Sequence, residues 1–233
     1  MSAAIIGSTG LVGSFILSTC LQDSSPWSKV HTISRRTPKS SGAKLSAIVE
    51  TDTAKWSSSL TAISPAPEVV FSALGTTRAQ AGGIDAQRKI DQDLNVELVK
   101  AAKAAGVENF VFISSAGIRG AVSGMVPYSK MKQGVEDAIE SAGFEHAVVL
   151  RPGLIIGDRE VPHGGGPMMN GAARALGRWF GQGWQDSIGQ EAEVIARAAV
   201  AAARLVREGK APQKYWVIEA KDIVRLGRTE WKE

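Results

Sequence analysis

Residues 7–13 read GSTGLVG, with a glycine at every third place, directly behind the apolar run Ala3–Ile6. No other stretch restricts the fold of this chain so strongly. A short apolar run ending in glycine, followed by Ser14–Leu21 with its Phe15, Ile16, Leu17 and Leu21, reads as strand, tight turn and a helix packed on a sheet. In that setting Gly7 permits the turn, Gly10 lets the backbone approach a pyrophosphate, and Gly13 brings the helix close to the sheet. The anion would sit on the helix N-terminus, across Gly7, Ser8, Thr9, Gly10, Leu11, Val12 and Gly13, where free N–H groups and the helix dipole favour negative charge. The same spacing also serves a plain structural turn, so the remainder of the chain has to separate the two readings.

Further apolar runs at 30–34, 45–50, 68–74, 109–115, 146–153 and 214–220 read as strands. Between them, residues 84–105 carry Ile90, Leu94, Leu98, Ala101, Ala102 and Ala105 on one helical stripe, which Gly106 stops. Helices are also expected from Tyr128 to about Ala142 and over 190–208, while GLIIGDREVPHGGGP reads as irregular. Alternating strands and helices imply an α/β Rossmann-type, doubly wound parallel sheet, with a small C-terminal substrate-side region. A length of 233 residues suits one such domain, 1–233, with 155–189 as a substrate-side or lid segment.

A second motif, Ser34, Arg35 and Arg36, stands just past the second strand. An NAD-preferring site usually has an acid there for the ribose hydroxyls. This chain has two guanidinium groups, with Lys39 nearby, and these suit a 2′-phosphate through paired, charge-assisted hydrogen bonds. Two solvated surface arginines are the alternative.

The third motif is YSKMK, 128–132. Tyr128 and Lys132 fall one helical turn apart, and a nearby ammonium lowers the pKa of a phenol and makes it a better acid or base. Ser114 and Ser115 close the fifth strand, where a serine could hold a substrate oxygen. A surface tyrosine on an amphipathic helix is the alternative. Cys20 reads as a packed residue, and the scattered histidines His31, His146 and His163 give no metal-ligand spacing. Met168, Met169, Trp179, Phe180 and Trp184 either line an adaptable pocket or pack under a loop.

These stretches together resemble the atypical branch of the short-chain dehydrogenase/reductase superfamily, within it the Tat-interacting-protein-like group and its fungal mitochondrial-proteome relatives. The shared pieces are GSTGLVG, ISRR, ETDTAKW, SALGTTRAQAGG, DQDLN, LVKAAKAAGVENFVFISSAG, YSKMKQGVE and LRPGLIIGDRE, over roughly residues 3–160. The resemblance implies an NADP(H)-binding Rossmann fold. It places Asp52 and Thr53 near the adenine, Ala73, Leu74 and Gly75 over the cofactor, and Leu154 beside the nicotinamide. Asn95 would occupy the helix position where many members keep a proton-relay asparagine, or else serve the core or the helix surface.

The expected function is NADPH-dependent reduction of a small carbonyl substrate, with Tyr128 as general acid, Lys132 tuning it and Ser114 or Ser115 orienting the oxygen. The alternatives are an NADP(H)-binding regulatory protein and a non-redox isomerase or cyclase reusing the pocket. A net charge of +4 without a basic block does not call for nucleic acid. No run is apolar enough to span a membrane, and strand-like sequence begins by residue 3, leaving no room for a removable presequence. These features lead to the expectation of a cytoplasmic protein, with peripheral contact at the mitochondrial outer membrane as a variant.

Overall fold

The computed structural model describes residues 1–120, 126–157 and 189–232. Seven parallel strands form the main sheet: β1 (Ser2–Ile6), β2 (Lys29–Ser34), β3 (Leu45–Val49), β4 (Val69–Ser72), β5 (Asn109–Ile113), β6 (His146–Arg151) and, last in the chain, β9 (Tyr215–Glu219). Their order is β3-β2-β1-β4-β5-β6-β9. The chain runs outward from β1 to one edge, returns, and builds the other half from β4. The crevice at the carboxyl ends of β1 and β4 is therefore the topological switch point, where open α/β sheets bind ligands. A separate pair, β7 (Leu154–Ile156) and β8 (Gly189–Glu191), lies beyond β6.

Alternation along the strands divides the core in two. Ala3 and Ile5 join Phe71, Val111 and Leu150 on the face covered by α1 (Leu11–Leu21) and α7 (Ala192–Arg207). Ala4 and Ile6 join Ile33, Val70, Phe112 and Val149 on the opposite face. That face is covered by α2 (Trp56–Thr61), α5 (Asn95–Ala104) and α6 (Pro127–Ala142). The alanine-rich stretch of α7 is buried against the sheet and α1, as expected of small residues that let helices approach closely. No helix among the described residues is long and apolar enough to cross a membrane.

The doubly wound sheet matches the expectation, and the departures are local. The fourth strand stops at Ser72, and 73–77 continues as a loop because Ala73 and Leu74 pack on the turn at Gly7. The helix expected over 84–105 is preceded by α3 (Arg78–Ala81). It begins as α4 (Ile84–Arg88), widens into a π-helical segment at Lys89–Leu94 and resumes as α5. A short helix follows β3: Asp52 accepts from the Ala54 N–H at 3.0 Å and caps a 3₁₀ turn, Thr53–Lys55, that leads into α2. Leu154–Ile156, expected to be irregular, is a strand, and residues 189–191 pair with it instead of opening the following helix. After β9 the chain forms α8 (Ala220–Val224) and a second π segment, Arg225–Thr229. Most of the expected lid segment, together with His163, Met168, Met169, Trp179, Phe180 and Trp184, lies outside the described residues.

Candidate functional site

The glycine turn is built by backbone crowding. Gly7 has φ of +83°, and a Cβ there would lie 2.8 Å from the Ala73 carbonyl and the Leu74 nitrogen. A Cβ on Gly13 would fall on the Gly7 carbonyl, so α1 rests directly on the turn. Gly10 is different. It is exposed, caps α1 without any side chain, and its Cβ would meet only the Gly7 oxygen at 3.3 Å. The first turn of α1 holds no acidic residue to compensate its positive end. The result is a tight turn below and an open N–H-rich surface above. Ser8, by contrast, is buried, and its hydroxyl meets no partner among the described residues.

The second motif reaches the same surface. Ser34, buried at the end of β2, donates to the Arg36 carbonyl at 2.8 Å and bends the chain. Arg36 in turn donates from Nη2 to the Thr9 carbonyl at 3.4 Å, and Arg35 is exposed beside it. Asp52 and Thr53 follow β3 on the same edge, with Asp52 occupied as a cap.

The third motif stands on α6. Proline at its first position starts the helix, leaving Tyr128 exposed in the first turn. Lys132, one turn on, is buried; its Nζ donates to the Ile113 carbonyl at 3.0 Å and lies 4.6 Å from the Phe112 ring centre. Burial pushes its ammonium down to about 8, although Asp91 and Glu136 favour its charge. The two serines part company. Ser114 is buried and donates to Glu136 at 2.7 Å, whereas Ser115, at the mouth of β5, is partly exposed. Glu136 is the centre of an ion cluster, accepting from Arg151 at 2.7 and 3.0 Å and from Arg119 at 3.1 Å. Burial alone would raise its carboxyl, but the Arg151, Ser114 and Arg119 hydrogen bonds hold it below the usual carboxylate range. Arg151 continues to Glu219 on β9 at 3.1 Å.

Asn95 is buried and bound on every side. It accepts from the Ser72 hydroxyl at 2.8 Å and donates to the Ile90 and Asp91 carbonyls at 3.1 and 3.3 Å. On the far side of β6, Leu154 is partly buried, and the Gly153 N–H donates to buried Gln190 at 2.8 Å. Asp91, Gln87, Glu136 and Gln190 were not among the expected site residues. Each is a polar residue that topology alone brings inside, and a capping or surface reading fits each as well in sequence. A cleft of about 480 Å³ lined by Met1, Lys29, His31, Glu68 and Glu108 opens at the other edge of the sheet, where the strands begin, and takes no part in this constellation.

The model of a family described as NAD dependent epimerase/dehydratase matches residues 3–176. A protein of Chaetomium globosum, "Protein FMP52, mitochondrial", is 62% identical over 232 residues, covering 100% of this chain and 99% of its own length. A Neurospora crassa protein, "Protein fmp-52, mitochondrial", is 59% identical over 235 residues and covers 100% of this chain and 97% of its own. Among solved structures, "MoeE5 in complex with UDP-glucose and NAD" superposes with a TM-score of 0.69 at 17% identity, over 98% of this chain and 81% of its own. A UDP-galactose 4-epimerase does so with a TM-score of 0.67 at 15% identity, over 94% and 76%. The relatives carry mitochondrial names, which overturns the cytoplasmic expectation. Net charge, a single cysteine and the absence, among the described residues, of a helix able to cross a membrane do not tell one compartment from another.

Proposed function

The chain belongs to the NAD dependent epimerase/dehydratase family, and on that premise we propose that it is an NADP(H)-dependent oxidoreductase that reduces a small carbonyl compound. The observation that carries this reading is Lys132. It is buried one helical turn from the exposed Tyr128, with its ammonium anchored on the last carbonyl of β5, that of Ile113.

The residues present fit a dinucleotide. The open face of Gly10 over an uncompensated helix N-terminus suits a pyrophosphate, and Gly75, exposed after β4, leaves a gap that a side chain would fill. Gly7 to Gly13 would hold the pyrophosphate mainly through backbone groups, since Ser8, Val12 and Gly13 are buried. Ser34, Arg35 and Arg36 would hold a 2′-phosphate, with Arg36 already drawn to the glycine loop. Asp52 and Thr53 would border the adenine, Ala73, Leu74 and Gly75 the middle, and Leu154 the nicotinamide. When bound, that group supplies the hydride.

The chain's own residues move the proton. Tyr128 donates its hydroxyl hydrogen to the substrate oxygen as the carbonyl becomes an alcohol, and the Lys132 ammonium stabilises the phenolate left behind. Ser115 donates a hydrogen bond to the same oxygen. Ser114 is committed to Glu136 and fixes the end of β5 instead. NADPH oxidation over a panel of small aldehydes and ketones tests this, with a fall of about 10²–10⁴ expected in Tyr128→Phe at near-normal cofactor affinity. The description of the matching family supports a second reading, an isomerisation that returns the cofactor to its starting state. Tight NADPH binding without net oxidation of any panel member would select it.

A further inference from the structure

The wide π-helical turn between Lys89 and Leu94 carries Asp91 wholly inside the molecule. A buried carboxylate is costly unless something compensates its charge. Its hydrogen-bond donors are neutral: the Thr76 N–H at 2.6 Å to Oδ1 and the Gln87 amide at 3.1 Å to Oδ2. Gln87 also donates to the Thr76 carbonyl at 3.3 Å, which closes a ring around the loop after β4. The cation lies across Gly75. A Cβ at that glycine would stand 3.6 Å from Asp91 Oδ1 and 4.0 Å from Lys132 Nζ, so carboxylate and ammonium flank the space the missing side chain leaves.

Among the described residues, Lys132 has one other carboxylate facing it, Glu136 on the next turn of α6, and that charge is already divided between Arg151 and Arg119. Its remaining near neighbours are the Ile113 carbonyl and the Phe112 ring. Asp91, from the π segment, is thus the carboxylate among the described residues that has no guanidinium of its own and looks onto the ammonium.

We propose that Asp91 is a positioning residue: a buried counter-charge that keeps Lys132 protonated in its place behind Tyr128. The inference rests on the reading of Lys132 as the partner of Tyr128. Burial works against charge on both groups, and each charge supports the other. With Asp91 made neutral, Lys132 should release its proton at lower pH, and the phenolate of Tyr128 would lose its nearby cation. Gln87 and Thr76 hold the carboxylate toward the gap, which gives the π turn a functional reason.

The test needs neither cofactor nor substrate. In protein labelled with ¹³C at lysine Cε, the Lys132 resonance, identified by its loss in Lys132→Met, is followed through a pH titration. Asp91→Asn keeps the acceptor and the size, and should move the Lys132 midpoint down by about one pH unit or more. The second readout is a double-mutant cycle on urea unfolding, in which Asp91→Asn should cost clearly less in the Lys132→Met background. An unmoved Lys132 midpoint or additive costs would overturn the proposal, since a mere cap on Thr76 predicts both. If Asp91→Asn fails to fold, recovery of a folded double variant supports the pairing. Failure of the double variant, with Lys132→Met alone folded, overturns it. Absence of NADPH oxidation in the wild type would remove the reductase reading and leave these readouts untouched.

Discussion

At the scale of single residues, two glycines in one motif do opposite work. Gly13 is a packing glycine, and Gly10 is an open one. Gly13→Ala would drive a methyl into the Gly7 carbonyl and push α1 off the turn. Strain of that kind typically costs about 1–3 kcal/mol, so a lowered urea midpoint is expected, together with weak cofactor binding. Gly10→Ala meets only one atom, at 3.3 Å. Its urea midpoint should stay close to wild type while NADPH affinity falls. Equal unfolding curves for Gly13→Ala and wild type would show that the turn yields more easily than its geometry implies. Arg36 gives a second residue-scale prediction. A charge-assisted hydrogen bond contributes about 1.5–3 kcal/mol. Arg36→Ala should therefore weaken NADPH binding about 10- to 100-fold and leave NADH nearly unchanged. Calorimetry with both cofactors decides it, and equal wild-type affinities would sink the 2′-phosphate reading. Cys20 is buried beside Arg204, and burial pushes its thiol far up. It should stay unmodified by thiol reagents until the protein unfolds.

At the scale of elements, the strands and most helices were legible because their apolar runs are largely buried, edge strand β3 apart, and bounded by glycine, proline or polar turns. GSTGLVG, SRR and YSKMK sit where a strand-turn-helix reading places them, at the carboxyl edge of one parallel sheet. What stayed hidden was polar. The π turn has no periodic signature, and the interruption at Lys89–Leu94 is held by Asn95, whose amide reaches back to the Ile90 carbonyl while its oxygen accepts from Ser72. The family resemblance offered Asn95 as a proton relay, with a core or helix-surface role as alternatives, and its side chain is seen tying β4 to this helix. Likewise, nothing in ISSAG separates Ser114 from Ser115 until Glu136, twenty-two residues away from Ser114 in the chain, is seen to take the first. Asn95→Ala would strip a partner from buried Ser72 and free the carbonyls of the π turn. A loss of about 1–3 kcal/mol in urea unfolding is expected, with faster amide exchange confined to residues 88–96. Uniform exchange across the protein would contradict the local assignment.

At the scale of the whole molecule, Glu136 joins three neighbouring strands of the sheet and a loop: the end of β5 through Ser114, β6 through Arg151, the loop after β5 through Arg119 and, by way of Arg151, β9 through Glu219. Its carboxyl titrates below its ordinary 4.5 in the folded state. The stability it contributes is therefore full above 4.5 and is lost as pH falls through the lower folded value. Glu136→Gln leaves Arg151 without its buried partner and should cost about 3–5 kcal/mol at neutral pH. Its stability should then fall less steeply than wild type in the acid range, as urea unfolding at stepped pH would show. A wild-type acid limb kept intact in the variant would exclude Glu136 as its source. The packing of α1 against α7 has a consequence for how the protein is made. Every residue proposed for the cofactor lies at or before Leu154, yet α1, which follows the glycine turn, is buried by a helix that begins at Ala192. On the ribosome, a nascent chain stalled before α7 has emerged would display the complete dinucleotide motif and still fail to capture NADPH. Competence should appear abruptly, once the last fifth of the polypeptide clears the exit tunnel.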